Sequence, residues 1–222
     1  MDWQALSISL QLAAWTTVIL LPLAIFVARP LAWTRFPGKS AVDALVALPL
    51  VLPPTVLGYY LLIAFGGASS LGHAYHALTG RTLAFSFDGL LLASLLFNLP
   101  FAIQPVQRAF ETIPPDVREA AWCSGLSQWK TFLRMELPLA WPGILSAVVL
   151  TFAHTLGEFG VVLMIGGNIP GETKTVALAI YDRAQAFDDH AAGAMSALLL
   201  LLSFTAIGLV HFVSRRVGRR YA

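Results

Sequence analysis

The chain has 222 residues, 57% of them hydrophobic and only 12% charged, with 14 lysines and arginines against 12 aspartates and glutamates for a net charge of +2. Soluble domains average roughly 25% charged residues, and the mean hydropathy here is +0.73, which excludes an ordinary soluble enzyme and describes an integral membrane protein. A hydrocarbon core about 30 Å thick needs ~20 apolar residues per helical crossing, so this length holds a handful of spans and no separate soluble domain.

The first apolar run extends from about Leu6 to Ala28. A secretory signal carries its cations ahead of the apolar stretch. Here only Asp2 precedes it, while Arg29, Arg35 and Lys39 follow, so a retained first helix with its amino end outside is expected. Further runs lie near Val42–Phe65, Phe87–Gln107, Leu139–Ile165 and Gly193–Phe212. The reading is an all-α membrane protein of about five spans, a single unit over residues 1–222 with its core at about 6–213.

Cations concentrate between Arg29 and Lys39, at Arg108, Arg118, Lys130 and Arg134, and in the tail at Arg215, Arg216, Arg219 and Arg220. The segments Gly66–Ser86 and Gly166–His190 hold fewer. The positive-inside rule then puts the amino end outside and the carboxyl end in the cytoplasm. The tail reads as a membrane anchor, because no aromatic platform or groove-reading motif accompanies it, and no nucleic-acid partner is expected. There is no internal repeat, which argues against an inverted-repeat transporter.

Within the second run, Pro49, Pro53 and Pro54 each remove a backbone donor, and the freed carbonyls need partners in protein or in a watery cavity. Thr55, Tyr59 and Tyr60 follow them, and Asn98, Pro100 and Gln104 interrupt the third run, so polar atoms from two helices can converge on a pathway or serve as interhelical glue. His73 and His76 are spaced i, i+3 without further ligands, and Cys123 is the single cysteine. Neither a metal site nor an intramolecular disulfide is expected.

The central stretch at about 112–138 is the long polar excursion in this oily chain. Pro114-Pro115-Asp116 suits a helix entrance, and Gly125 can stop that helix in a left-handed conformation. Ser127 then caps a second helix in which Trp129, Phe132, Leu133 and Leu137 share one face and Lys130 and Arg134 another, with Pro138 ending it or opening the next span. Physics alone leaves open a docking knob, with Ala120 and Ala121 allowing close approach, or an interfacial loop.

In the fourth run His154 and Glu158 are four residues apart beside Thr155, and ionisable groups at membrane depth are functional candidates. Glu158 suits a structural or gating role, satisfied by His154 or by backbone groups. The segment Pro170-Gly171-Glu172-Thr173 is an external turn or a docking surface. No nucleophile–base set and no glycine-rich phosphate loop is present, so this chain is expected to be non-catalytic.

Glu119-Ala120-Ala121, then Gly125, Met135 and Leu137-Pro138 at their spacings, resemble the EAA motif of ABC importer permeases. Met135 stands at the usual isoleucine position, and Trp122-Cys123-Ser124 departs from the more usual Arg-Thr-Leu. "RFPGKSAVDALVALPLVLPPTVLGYYLL" from Arg35, "FAHTLGEFG" from Phe152 and "NIPGETKTVALAIYD" from Asn168 narrow the resemblance to the molybdate permeases, close relatives of the sulfate permeases.

The resemblance implies a bacterial inner-membrane permease that works as a homodimer. Its partners would be two cytoplasmic ATPases, which hold the ATP and Mg, and an external molybdate-binding protein; the chain itself would bind no cofactor. Glu119, Ala120, Ala121, Gly125, Leu137 and Pro138 would couple to the ATPase. Pathway or gate candidates are Pro53, Pro54, Thr55, Tyr59, Asn98, Gln104, His154, Thr155 and Glu158, and Pro170, Gly171, Glu172 and Thr173 would face the binding protein. The alternatives are a sulfate or thiosulfate permease of the same family and a gradient-driven carrier or channel.

Overall fold

The computed structural model describes the backbone of residues 2–221 and the side chains of residues 2–208 and 212, so the tail arginines fall outside the described side chains. The described residues form helices and no strand. These are α1 (Trp3–Trp33), α2 (Lys39–Val51), α3 (Pro54–Phe65), α4 (Ser70–Thr79), α5 (Phe87–Phe97) and α6 (Leu99–Glu111), followed by α7 (Pro115–Cys123), α8 (Gln128–Leu139), α9 (Trp141–Gly157), α10 (Gly160–Gly166), α11 (Val176–Gln185) and α12 (Asp189–Tyr221).

Among the described residues, α1, α5 with α6, and the Asp189–Gly208 part of α12 are each long and apolar enough to cross a membrane. Counting the bent pairs α2–α3 and α8–α9 as one span each gives up to five. The run Val42–Phe65, expected as one crossing, turns by 109°. Pro53 disfavours helix at the residue before it, and Leu52 is accordingly extended at φ −71° and ψ 134°. Pro49 by contrast sits inside α2. The fourth run is likewise not one helix: Glu158 is extended at φ −71° and ψ 131°, and α10 starts afresh at Gly160. The two segments expected as loops contain α4 and α11.

α1 is the spine. Its buried residues Ala5, Leu12, then Leu20, Ala24, Ala28 and Leu31 enter three successive apolar clusters. The first joins Val176, Ala179 and Met195, the second α3, α5 and α10, and the third α6 and α9. The opposite stripe of α1, Trp15, Val18, Ile19, Leu23 and Phe26, is exposed. Lipid tails are as apolar as leucine, so association of such helices rests on close packing and hydrogen bonds more than on hydrophobic burial.

The crossing of α6 and α9 shows this. A Cβ added at Gly143 would lie 2.4 Å from the Ala109 Cβ and 2.5 Å from the Pro105 oxygen. Gly143→Ala is therefore expected to lower stability by about 1–3 kcal/mol through overpacking. Gly193→Ala in α12, where an added Cβ meets nothing within 4 Å, should not. Thermal unfolding of the two variants in detergent checks this, and equal midpoints would contradict it.

The helix ends fall into two groups. Near the start of α1, Val176 N–H donates to Ser9 Oγ at 2.8 Å, Gly171 approaches Gln4, and Phe85 N–H donates to the Ile165 carbonyl at 2.8 Å. At the far end of α1, Arg29 reaches the central segment. The segments expected outside thus share one end, and the central stretch lies at the other.

Candidate functional site

The central segment is two helices joined at a glycine. Pro114 and Pro115 open α7, and Gly125 is left-handed at φ +80°. The Leu126 N–H donates to the Ala121 carbonyl at 3.1 Å, closing the turn, and Ser127 Oγ accepts from Lys130 N–H. Glu119 and Ala120 are exposed, whereas Ala121 is buried. Only one of the two alanines is thus free to meet another protein.

α8 departs from the expected stripe. Phe132–Glu136 is a π-helical turn, with the Leu137 N–H donating to the Phe132 carbonyl. Pro138 follows inside α8; it has no N–H to give, and its ring crowds the carbonyl one turn back, which the widened turn accommodates. The register shifts, so Thr131 and Glu136 are the buried residues while Trp129 is 67% exposed. Leu137 is half-buried, Pro138 is exposed, and the next span opens at Trp141 rather than at Pro138.

Glu136 is the residue that sequence reasoning missed. Its side chain is wholly buried, and it accepts from Arg29 Nε at 2.7 Å and Nη2 at 3.3 Å and from Arg118 Nε at 3.1 Å. Arg118 lies 3.8 Å from the Trp33 ring centroid and 5.1 Å from that of Trp122. One carboxylate on α8 therefore ties α7 to the end of α1. The signal was a glutamate beside an apolar Leu-Pro-Leu, but its partner Arg29 is remote in sequence.

A second polar cluster lies among α1, α5, α6 and α9. Thr16 Oγ1 donates to Ser94 Oγ at 2.8 Å, and buried Asn98 donates through Nδ2 to the Ser94 carbonyl at 2.9 Å and Thr155 Oγ1 at 3.0 Å. The Ser94 carbonyl can only accept, which orients the amide and leaves Asn98 Oδ1 facing His154 Nδ1 at 3.0 Å. Nδ1 therefore carries a proton, and Nε2 is the nitrogen left to accept or be protonated. Phe101 stacks on the imidazole at 3.9 Å between ring centroids.

The structure thus joins Asn98, His154 and Thr155 but separates His154 from direct pairing with Glu158. Glu158 lies beyond the last helical turn, and its Oε1 accepts from Val161 N–H at 3.0 Å, capping α10 within the same chain. Pro54, His154 and Glu158 line one cavity of about 190 Å³. Pro53, Thr55 and Tyr59 are exposed on the adjoining surface, and Gln104 is half-buried on α6.

At the opposite end, Gly171 and Glu172 line a groove of about 560 Å³ with Gln11, Arg81 and Asp88, and Pro170 is exposed. Thr173 faces inward: its hydroxyl donates to the Gly166 carbonyl at 2.6 Å and accepts from Ile169 N–H at 3.0 Å. Lys174 pairs with Asp182 at 2.6 Å, and Asn168 Nδ2 donates to the same carboxylate. Burial raises the Asp182 carboxyl, but hydrogen bonds from Lys174 and Asn168 outweigh it and hold it below the usual carboxylate range. The segment is a braced loop rather than a simple turn.

The family model described as binding-protein-dependent transport system inner membrane component matches residues 20–219. The chain is 47% identical over 219 residues to the molybdenum transport system permease protein ModB of Azotobacter vinelandii, covering 97% of this chain and 95% of that protein. Identity to the corresponding Escherichia coli K12 protein is 39% over 184 residues, 83% of this chain and 80% of the other. To the E. coli K12 sulfate transport system permease protein CysT it is 34% over 186 residues, 84% and 67%.

Among solved structures, a bacterial ABC transporter involved in alginate import superposes with a TM-score of 0.76 at 18% identity, over 96% of this chain and 78% of that one. The MetNI methionine ABC transporter gives 0.69 at 17%, over 97% and 94%. These two likenesses carry the fold; the sequence matches carry membership, and the chain belongs to the family of binding-protein-dependent transport system inner membrane components.

Proposed function

We propose that this chain is the membrane subunit of an ATP-driven molybdate importer. Two copies form the pathway, two soluble ATPases dock on α7 and hold ATP and Mg, and an external binding protein delivers the anion. The chain binds no cofactor of its own. Its amino end lies outside and its carboxyl end in the cytoplasm of a bacterial inner membrane, in keeping with the cations around Arg29–Lys39 and the central segment. The observation that carries the substrate is 47% identity over 219 residues to a molybdenum permease, against 34% over 186 residues to a sulfate permease.

The geometry supplies a linkage. Force on α7 passes through Arg118 and Glu136 to α8 and to α1, and α8 meets α9 at a 68° bend. α9 carries His154 into the 190 Å³ cavity. Glu158 disfavours a dianion there, so brief passage past His154, with selectivity held in the binding protein, fits better than tight capture. Gly171 and Glu172 face that binding protein across the outer groove.

Uptake by the permease–ATPase complex in liposomes, with binding protein loaded with molybdate, tungstate or sulfate, tests this. Molybdate-loaded protein is expected to stimulate ATP hydrolysis and uptake together. Stimulation by sulfate alone would move the substrate, and uptake without ATP would end the coupling role and favour a gradient-driven carrier.

A further inference from the structure

The outward stripe of α1 does not end at the ion pairs. Trp15, Val18, Ile19, Leu23 and Phe26 lie on the exposed side, and the same side continues into Arg29, Pro30 and Trp33, which border a groove of about 530 Å³ against α8. Most of its lining is apolar: Pro22, Ile25, Phe26, Phe132 and Leu137. Arg29 and Arg118 line it too, both with guanidiniums near the Trp33 ring, together with the exposed Trp129. It is therefore a greasy slot with a cationic end at the border of a membrane-exposed helix face.

The charge in that slot is unbalanced outward. Two guanidiniums share one carboxylate, leaving one net positive charge among the three. Glu136 is 0% exposed, while Arg29 and Arg118 keep 30% and 19% of their side-chain surface. The carboxylate stands behind and the cations in front. Glu136 takes Nε and Nη2 of Arg29 and Nε of Arg118, so N–H donors of both forks are left for another acceptor. Basic pockets between membrane helices suit anionic headgroups, and tryptophans favour the same interfacial depth.

We propose that this groove binds one anionic phospholipid, whose phosphate meets the free guanidinium N–H groups of Arg29 and Arg118 and whose acyl chain lies along Pro22, Ile25 and Phe26. The lipid rests on the linkage that ties α7 to α1, so the headgroup sits where the coupling segment is anchored. The assignment rests on the proposed topology only for the leaflet, which is then the cytoplasmic one.

The test is native mass spectrometry of the full chain in mild detergent, with phosphatidylglycerol or phosphatidylcholine of matched acyl chains. Retention of phosphatidylglycerol is expected to exceed that of phosphatidylcholine by about fivefold, the scale of one net charge at about 1 kcal/mol, since the phosphate itself is common to both lipids. Trp129→Glu, at an exposed rim position that leaves the ion pairs intact, should remove most of this preference, and Trp129→Lys should keep it. Equal retention of the two lipids, or a Trp129→Glu variant that still prefers phosphatidylglycerol, would overturn the site. So would a benzophenone amino acid at position 26 that cross-links to a second copy of the chain instead of to lipid. None of these readouts needs ATPase, binding protein or substrate, so a failure here is separate from a failure of the import function.

Discussion

Glu136→Gln is expected to lower the stability of the purified chain by about 3 kcal/mol, because it leaves two guanidiniums without their buried counter-charge. The figure sits at the low end of the range for breaking a buried pair, since Arg29 and Arg118 are partly exposed and can rehydrate. For a chain of this size that corresponds to a fall of about 6–12 °C in the unfolding midpoint. The triple variant Arg29→Met, Arg118→Met, Glu136→Leu should recover most of the loss, because an apolar replacement removes both the charges and their desolvation cost. A Glu136→Gln protein that melts with the wild type would show that the carboxylate is not what joins α7 to α1. Recovery of stability without recovery of uptake in the triple variant would assign the ion pairs to the linkage rather than to folding.

That cluster also marks where sequence reading stops. The local signals in the central segment are strong and each has a short-range cause: Pro115 at a helix start, a glycine that can take φ +80°, and a serine that caps. They were legible because the interacting atoms lie within a few residues of one another. The face of α8 was not, because a period of 3.6 residues assumes an unbroken helix, and the π turn before Pro138 puts Thr131 and Glu136 on the buried side instead of Trp129 and Leu133. Continuous apolar runs hid the bends at Pro53 and Glu158 for a related reason: hydropathy sums composition and is blind to direction. Asn98 and His154 were each picked as polar atoms at membrane depth, but their pairing required α6 and α9 to pack, which only tertiary structure supplies. The i, i+4 spacing of His154 and Glu158 misled because the helix ends between them.

The two alanines of the proposed coupling segment give the sharpest functional contrast. Ala120 is exposed on α7 and Ala121 is buried against its own chain, so the same enlargement has different consequences one residue apart. Ala120→Trp is expected to leave the unfolding midpoint nearly unchanged, as surface substitutions usually do within about 0.5 kcal/mol. It should weaken ATPase association by at least about tenfold and reduce uptake in step, since truncating or blocking a central contact commonly costs about 2 kcal/mol or more. Ala121→Trp should instead destabilise the isolated chain, because a buried position of that size cannot take an indole without displacing α7. Gly125→Ala separates a third effect: an added Cβ meets nothing within 4 Å, so its cost is the left-handed backbone alone, about 1–2 kcal/mol. Pull-down of the ATPase and thermal unfolding, measured on the same preparations, distinguish these cases. An Ala120→Trp chain that still binds its ATPase and still imports would mean that α7 is not the docking element. The exposed Glu119 and Ala120 would then be no more than the solvated face of an interfacial helix, anchored by Arg118 and Glu136 for the sake of the fold.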